Sequence, residues 1–421
     1  MQRKNSFLLI ALLSLALIVQ GQSITKRALF LGNSYTAVND LPLMTSQVAN
    51  SAGDTLIYDS NAPGGYTFMG HSTNTASLSK IAIGNWDFVV LQEQSQYPSF
   101  PPSQVEMEVF PYARALDSII NSQNACAETV FYMTWGRKNG DAQNCPYWPP
   151  VCTYEGMDSL LNLRYRMMAE DNEAILSPVG AVWNYIRKNH PSIELYQADE
   201  SHPSVAGTYA GACCFYTAFF RKDPTLITYN AGLSKEDADI IKNTVKTIVF
   251  DNLAEWHIGE YNPVADFSFT DMGSGNISFT NKSLYASSYF WDFGDSNTSI
   301  VENPTHIYAA EGTYTVKLSV NKCDLSDSTD KSVTISFLHI EEQNLPYLSL
   351  YPNPTSSSFT LAVDKKYLGS SYTLFNTEGK IVLTGKINDT ESIININKFS
   401  KGIYIIKIEG ALNQRLKIIK E

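Results

Sequence analysis

The chain has 421 residues, a formal net charge of −11, 44% hydrophobic and 17% charged residues. That composition excludes a disordered chain, and the acidic balance argues against a protein built to bind nucleic-acid phosphates. Its 24 Gly and 18 Pro are too few for a collagen or a low-complexity chain, and at ~150 residues per domain the length suggests about three domains.

In chain order, Met1-Gln2-Arg3-Lys4-Asn5 comes first, then an apolar run from Phe7 to Val19, then Gly21-Gln22. A basic start, a short apolar stretch and a small residue predict a secretory signal over residues 1–22. The run falls short of the ~20 residues that span a bilayer, and no later segment is apolar enough to span. The expected location is therefore secreted or outer cell surface, where disulfides form. Cys145 and Cys152 flank a Pro-Tyr-Trp-Pro-Pro loop that a bridge would close, and Cys126 has Cys213 or Cys214 as candidate partners. No cysteine pair has the C-x-x-C spacing of a zinc site, so no zinc site is expected.

Residues 24–253 alternate apolar runs with helical stretches. Strands are predicted at 27–31, 55–58, 88–91, 129–133 and 193–196. Helices are predicted at Leu43 to Ala52, Val109 to Asn121, Met157 to Ile175 and Ala206 to Phe220. That alternation implies an α/β domain with a parallel sheet covered on both faces, and ligands in such sheets sit at the carboxyl ends of the strands. Tyr165, Met167 and Met168 sit at helical spacing and read as core. Residues 263–337 and 346–421 lack long helical periodicity. Short alternating runs such as Tyr314 to Val320 and Gly402 to Ile408 predict two small β-sandwich domains. Linkers are expected around 254–262 and 338–346.

Ser34 stands just past the first predicted strand, in Gly32-Asn33-Ser34, with a helix beginning a few residues on. Free N–H donors at such a turn suit an oxyanion. Far along the chain, Asp199-Glu200-Ser201-His202 sets a carboxylate three residues before a histidine, a spacing that fixes the imidazole tautomer and stabilises its charged form. Of the six histidines only His202 has such a partner; His71 is a minor candidate.

Gly-x-Ser early and Asp-x-x-His late resemble the SGNH (GDSL-like) esterases and lipases over residues 24–253. The resemblance implies a flavodoxin-like three-layer α/β/α fold. It also implies Ser34 as nucleophile, His202 as base and Asp199 as its orienting partner. The family's oxyanion hole uses the serine N–H, a glycine N–H and a side-chain amide. Carried over, these are Ser34, Gly65 (with Gly64 the neighbour) and Gln94 (with Gln92 the runner-up). Two departures stand out: Gly-Asn-Ser where the family has Gly-Asp-Ser, and Gln92-Glu93-Gln94 where it has Gly-x-Asn-Asp. Glu93 is expected to act as a hydrogen-bonding buttress. Residues 134–156 form a long insertion, read as a lid or binding loop. In it Trp135, Tyr147 and Trp148 are candidates to stack on a sugar, and Arg137 to hold an acid group.

Phe290-Trp291-Asp292-Phe293-Gly294-Asp295, Asn303-Pro304-Thr305-His306 and Gly312-Thr313-Tyr314 closely resemble a PKD domain. There Trp291 is expected in the core, with Asp292 and Asp295 shaping turns. Leu350-Tyr351-Pro352-Asn353-Pro354 and Lys401-Gly402-Ile403-Tyr404 resemble the C-terminal sorting domain of type IX secretion, which implies outer-membrane secretion machinery as a partner. Together these imply a secreted serine esterase that needs no metal and no cofactor, with an ester on an acetylated polysaccharide as substrate and no nucleic-acid partner. The rival readings are a catalytically inactive carbohydrate-binding or adhesion protein and a lipase.

Overall fold

The computed structural model describes residues 23–337, 348–409 and 415–421; the expected signal segment and the linker at 338–346 lie outside them. The chain divides into two compact units, one reaching from the start through most of the central β block, the other formed by the C-terminal β block.

Five parallel strands build the first domain: β1 (Thr25–Leu31), β2 (Thr55–Asn61), β3 (Phe88–Leu91), β4 (Glu128–Tyr132) and β5 (Ile175–Ser177). Their order is β2-β1-β3-β4-β5, which reverses direction between β1 and β3 and so opens a crevice at their carboxyl ends. Successive residues Ala28, Leu29, Phe30 and Leu31 are all fully buried. Since neighbouring strand residues point to opposite faces, both faces of the sheet are covered. The helices are α1 (Ser34–Ala37), α2 (Leu41–Ser51), α3 (Phe68–Thr73), α4 (Thr75–Ile81), α5 (Pro102–Glu108), α6 (Phe110–Gln123), α7 (Tyr154–Asp171), α8 (Val179–Asn189), α9 (Val205–Phe220) and α10 (Lys235–Ile248). One group packs α2, α8 and α10 on α9; another packs α3, α4 and α7 on α6. Every residue of α9 after Val205 is buried, which is why its sequence is apolar or small all round.

The last strand differs from the expectation. Ile175–Ser177 forms β5, whereas 193–196 forms no strand of the sheet. A helical reading through Ile175 fails because Glu173 takes a left-handed conformation at φ 46° and ends the helix. Ile193, Leu195 and Tyr196 are buried all the same, so their apolarity reflects packing under a loop. Asp199 and His202 therefore follow a loop after α8, not a strand. Tyr165 and Met168 are buried, and Met167 packs beside them.

The central block holds two antiparallel sheets. One pairs β6 (Phe267–Asp271), β7 (Asn276–Asn281) and β10 (Thr305–Ile307). The other pairs β8 (Ser288–Asp292), β9 (Thr298–Ser299), β11 (Gly312–Lys322) and β12 (Leu325–Ile335). Trp291 is fully buried between them, its ring edge-on to Phe267 at 5.0 Å. Asp292 accepts from Gly294 N–H (2.9 Å), and Asp295 accepts from Asn297 N–H (3.1 Å), so both shape turns. The second unit is a sandwich of a three-stranded and a four-stranded sheet around Phe359, Leu361, Leu374, Ile394, Ile406 and Ile418. No helix among the described residues is long and apolar enough to cross a membrane.

Two disulfides form. Cys145–Cys152 closes its loop as expected. Cys126 pairs with Cys323 of the central block, while Cys213 and Cys214 remain free and buried. The expected partnership of Cys126 with Cys213 or Cys214 fails because both stand inside α9, which is buried on all sides.

Candidate active site

The sheet register places the site. Leu31 pairs with Asn61 on one side and with Leu91 on the other. The segments after β1, β2 and β3 therefore leave the sheet side by side, at the point where the strand order reverses. Gly32 makes the first turn possible: a Cβ there would lie 2.3 Å from Thr36 Oγ1 and 2.7 Å from Gln92 Oε1, closer than any side chain can sit.

Asn33 organises the edge. Its N–H donates to Gln92 Oε1 (2.9 Å), and its Oδ1 accepts from Tyr35 N–H (3.1 Å), capping α1. Its Nδ2 donates to the carbonyls of Tyr66 (3.0 Å) and Glu93 (3.3 Å). One buried amide thus ties the segments after β2 and β3 to the residue before Ser34. An aspartate would turn an anionic oxygen toward two carbonyls, so the Gly-Asn-Ser departure suits its surroundings.

Ser34, half-buried, has its Oγ 2.8 Å from His202 Nε2, and His202 Nδ1 is hydrogen-bonded to Asp199 Oδ2. The carboxylate holds the proton on Nδ1 and leaves Nε2 to accept from the serine hydroxyl. Asp199 Oδ1 also accepts from the N–H groups of Ser201 (3.1 Å) and His202 (3.0 Å). Burial works against the charge of Asp199, but the hydrogen bonds from His202 and Ser201 outweigh it and hold the carboxyl below its usual range. The pair is near the surface: the Asp199 side chain is 48% exposed and that of His202 30%.

An aromatic stack supports the histidine loop. Tyr35 stacks on Trp135 (centroids 4.9 Å) and Trp135 on Trp183 (3.6 Å), while Tyr35 meets His202 edge-on at 5.3 Å. Tyr35 Oη and Ser201 Oγ are 2.6 Å apart, and Trp135 Nε1 donates to the Ser201 carbonyl (3.1 Å). Asn39 Nδ2 donates to the Pro203 carbonyl (3.1 Å). These partners lie too far apart in sequence for spacing to reveal them, and Tyr35, Ser201 and Trp183 were missed for that reason.

Trp135 is corrected by this geometry. It is fully buried between two rings and presents no face to a sugar. Arg137 is half-buried and pairs with Asp141 (3.3 Å); Trp148 packs against the core and donates to the Ser99 carbonyl (3.0 Å). Burial opposes the charge of Asp141, yet hydrogen bonds from Asn144 and Gln96 and the Arg137 guanidinium hold its carboxyl low. Tyr147 is 86% exposed.

Gly65 has φ 68° and an exposed backbone, and its N–H, like that of Ser34, meets no acceptor among the described residues. Gly64 is exposed beside it. Gln94 folds onto its own loop: Nε2 donates to Gln96 Oε1 (3.0 Å), and Oε1 accepts from Gln96 N–H (2.7 Å), leaving one amide hydrogen uncommitted. Gln92 is fully buried, accepting from Asn33 and Thr36 and donating to the Glu93 carbonyl. His71 lies beneath the turn, with Nε2 2.8 Å from the Gly32 carbonyl and Nδ1 2.7 Å from Ser77 Oγ. Burial lowers its pKa, so it stays neutral and supports the backbone. No group of three or more His, Cys, Asp or Glu among the described residues is arranged to hold a metal.

Residues 263–336 match the family model of the PKD domain, and residues 349–421 match that of the secretion system C-terminal sorting domain. The chain carries a PKD domain followed by a sorting domain. It is also similar to collagenase ColA of Bacillus cereus, 41% identical over 70 residues, 15% of this chain and 7% of that protein. Ulvan lyase NLR42 of Nonlabens ulvanivorans is 29% identical over 101 residues, 24% of this chain and 19% of that protein. The chain thus spans less than a fifth of the length of either curated relative. Among solved structures it resembles a candidate SGNH hydrolase from Slackia heliotrinireducens, with 28% identity and a TM-score of 0.38. That match covers 46% of this chain and 97% of the other. The fold upstream of the PKD domain is α/β, with the strand order of a doubly wound flavodoxin-like sheet.

Proposed function

We propose that the chain is a secreted serine hydrolase of SGNH type that cleaves carboxylic esters. The observation that carries this reading is the continuous hydrogen-bonded path Ser34–His202–Asp199 at the switch point of the sheet. In the reaction His202 Nε2 takes the proton of Ser34 as Oγ attacks the ester carbonyl. The tetrahedral oxyanion rests on the N–H groups of Ser34 and Gly65 and on the free amide hydrogen of Gln94. His202 then protonates the departing alcohol, and water attacks the acyl-serine with the same histidine as base. A sorting domain read by outer-membrane type IX machinery would deliver the enzyme outside the cell. Acetyl esters on extracellular polysaccharide are therefore the substrate class we favour.

The test is hydrolysis of p-nitrophenyl acetate and butyrate by the full chain, beside Ser34→Ala and His202→Ala. Turnover by the parent and loss in both variants supports the reading, and acetate preference supports the acetyl assignment. An inert parent whose Ser34 is also not labelled by a fluorophosphonate would favour a binding or adhesion role.

A further inference from the structure

One buried carboxyl joins two of the three segments that leave the sheet beside Ser34. Glu93 follows β3 within two residues and is fully buried. Its Oε2 accepts from the N–H of Phe68 (3.0 Å), the first residue of α3, and its Oε1 accepts from the N–H of Gln94 (2.6 Å). Its carbonyl accepts from Asn33 Nδ2, and its N–H donates to Tyr165 Oη (3.3 Å) on α7. The main-chain and side-chain polar groups of Glu93 are thus all engaged inside the protein. Burying a carboxyl is costly unless it is satisfied, and burial pushes its pKa up to about 8. Its two oxygens give acceptors to the N–H groups of Phe68 and Gln94, which an apolar side chain could not do.

What it holds are the two segments that carry the oxyanion donors. Gly65 lies three residues before Phe68, and Gln94 is the next residue after Glu93. Asn33 binds the same two segments from the serine side, at Tyr66 and Glu93. We propose that Glu93 is a positioning residue that fixes the Gly65 and Gln94 segments relative to each other, and so sets the geometry of the oxyanion site. This rests on the esterase reading and deepens it. Glu93 does not touch substrate; it acts through backbone N–H groups. Such donors lower a barrier only when already in place as charge develops, and a displacement of about 1 Å can cost roughly 10²-fold in rate. The transition state suffers more than the bound ester, so the effect belongs in kcat.

The experiment compares the full chain with Glu93→Gln and Glu93→Asp on p-nitrophenyl acetate. Active sites are counted by the end point of fluorophosphonate labelling at Ser34, and folding is checked by thermal melting. Glutamine keeps the size but sets an NH₂ against one of the two N–H donors. Aspartate keeps both acceptor oxygens and draws them back by one methylene. The expected result is a fall in kcat per labelled site of roughly 10- to 100-fold, with KM within about twofold. Three results would overturn the proposal: kcat per site within twofold of the parent in a folded variant, a loss of sites with no change per site, or KM rising as much as kcat falls. If Glu93→Gln does not fold, Glu93→Asp decides on the same criteria. An inert, unlabelled parent would instead sink the esterase reading itself.

Discussion

The two edges of the parallel sheet carry different connections. At the carboxyl edge, segments after β1, β2 and β3 are joined by neutral side chains and one buried carboxyl: Asn33, Gln92 and Glu93. At the amino edge, Cys126 stands just before β4 and is bonded covalently to Cys323, at the turn between β11 and β12 of the PKD domain. On the proposed esterase reading, the first edge must set donors and a nucleophile to within fractions of an ångström, which directional hydrogen bonds can do. The second need only keep a domain attached, which one covalent bond does. Separation of these tasks lets the PKD domain be anchored without touching the reacting groups.

The largest expected contrast breaks along that line. Ser34→Ala or His202→Ala should lower kcat/KM by roughly 10³-fold or more, while Cys323→Ser should leave it within about twofold. A Cys323→Ser chain with an activity loss of tenfold would show that the edges are not independent. The same cysteine change should lower stability instead. The bridge spans 197 positions in sequence, and losing a cross-link of such length removes about 2–5 kcal/mol, read as an earlier urea midpoint. An unchanged midpoint, or free thiols at Cys126 and Cys323 in the untreated protein, would remove the amino edge from the comparison.

Asn33→Asp sharpens the other side. It removes two buried donors and faces a carboxylate with two carbonyls, at a cost of roughly 2–4 kcal/mol. Activity should fall with stability, because the same amide sits beside Ser34. Full activity in a folded Asn33→Asp chain would argue that the Gly-Asn-Ser departure carries no structural weight.

The last contrast is one of pH. The folded pKa of Glu93 is raised to about 8, above that of an unfolded carboxyl. The folded state therefore binds the proton more tightly, and the stability linked to it is present below about pH 4.5 and lost as pH rises toward 8. Relative to Glu93→Gln, the parent should lose melting temperature between pH 5 and 8. A constant difference across that range would place the Glu93 pKa near its ordinary value.

Much of this molecule was legible in its residues. Four of the five strands, the helix α9, the Cys145–Cys152 bridge and the pair of terminal β modules follow from apolar runs, turn residues and cysteine spacing, because each is a local property. Asp199 and His202 could be paired for the same reason, being three residues apart on one loop. The fifth strand escaped because a three-residue strand carries too few positions to show a period, while the apolar run at 193–196 stays outside the sheet and makes only an isolated bridge, Tyr196 to Pro203. Trp135 resembles a sugar platform in sequence because aromatic residues in an insertion look alike whether buried or exposed; only the approach of Tyr35 and Trp183 puts it inside. The Cys126–Cys323 bond, the contact of Tyr35 with Ser201 and the double clamp of Asn33 and Glu93 join positions between 25 and 197 residues apart. No sequence period encodes such distances: the register of β1, β2 and β3 brings the Asn33 and Glu93 partners to one level, while packing of a loop and of the PKD domain makes the other two contacts.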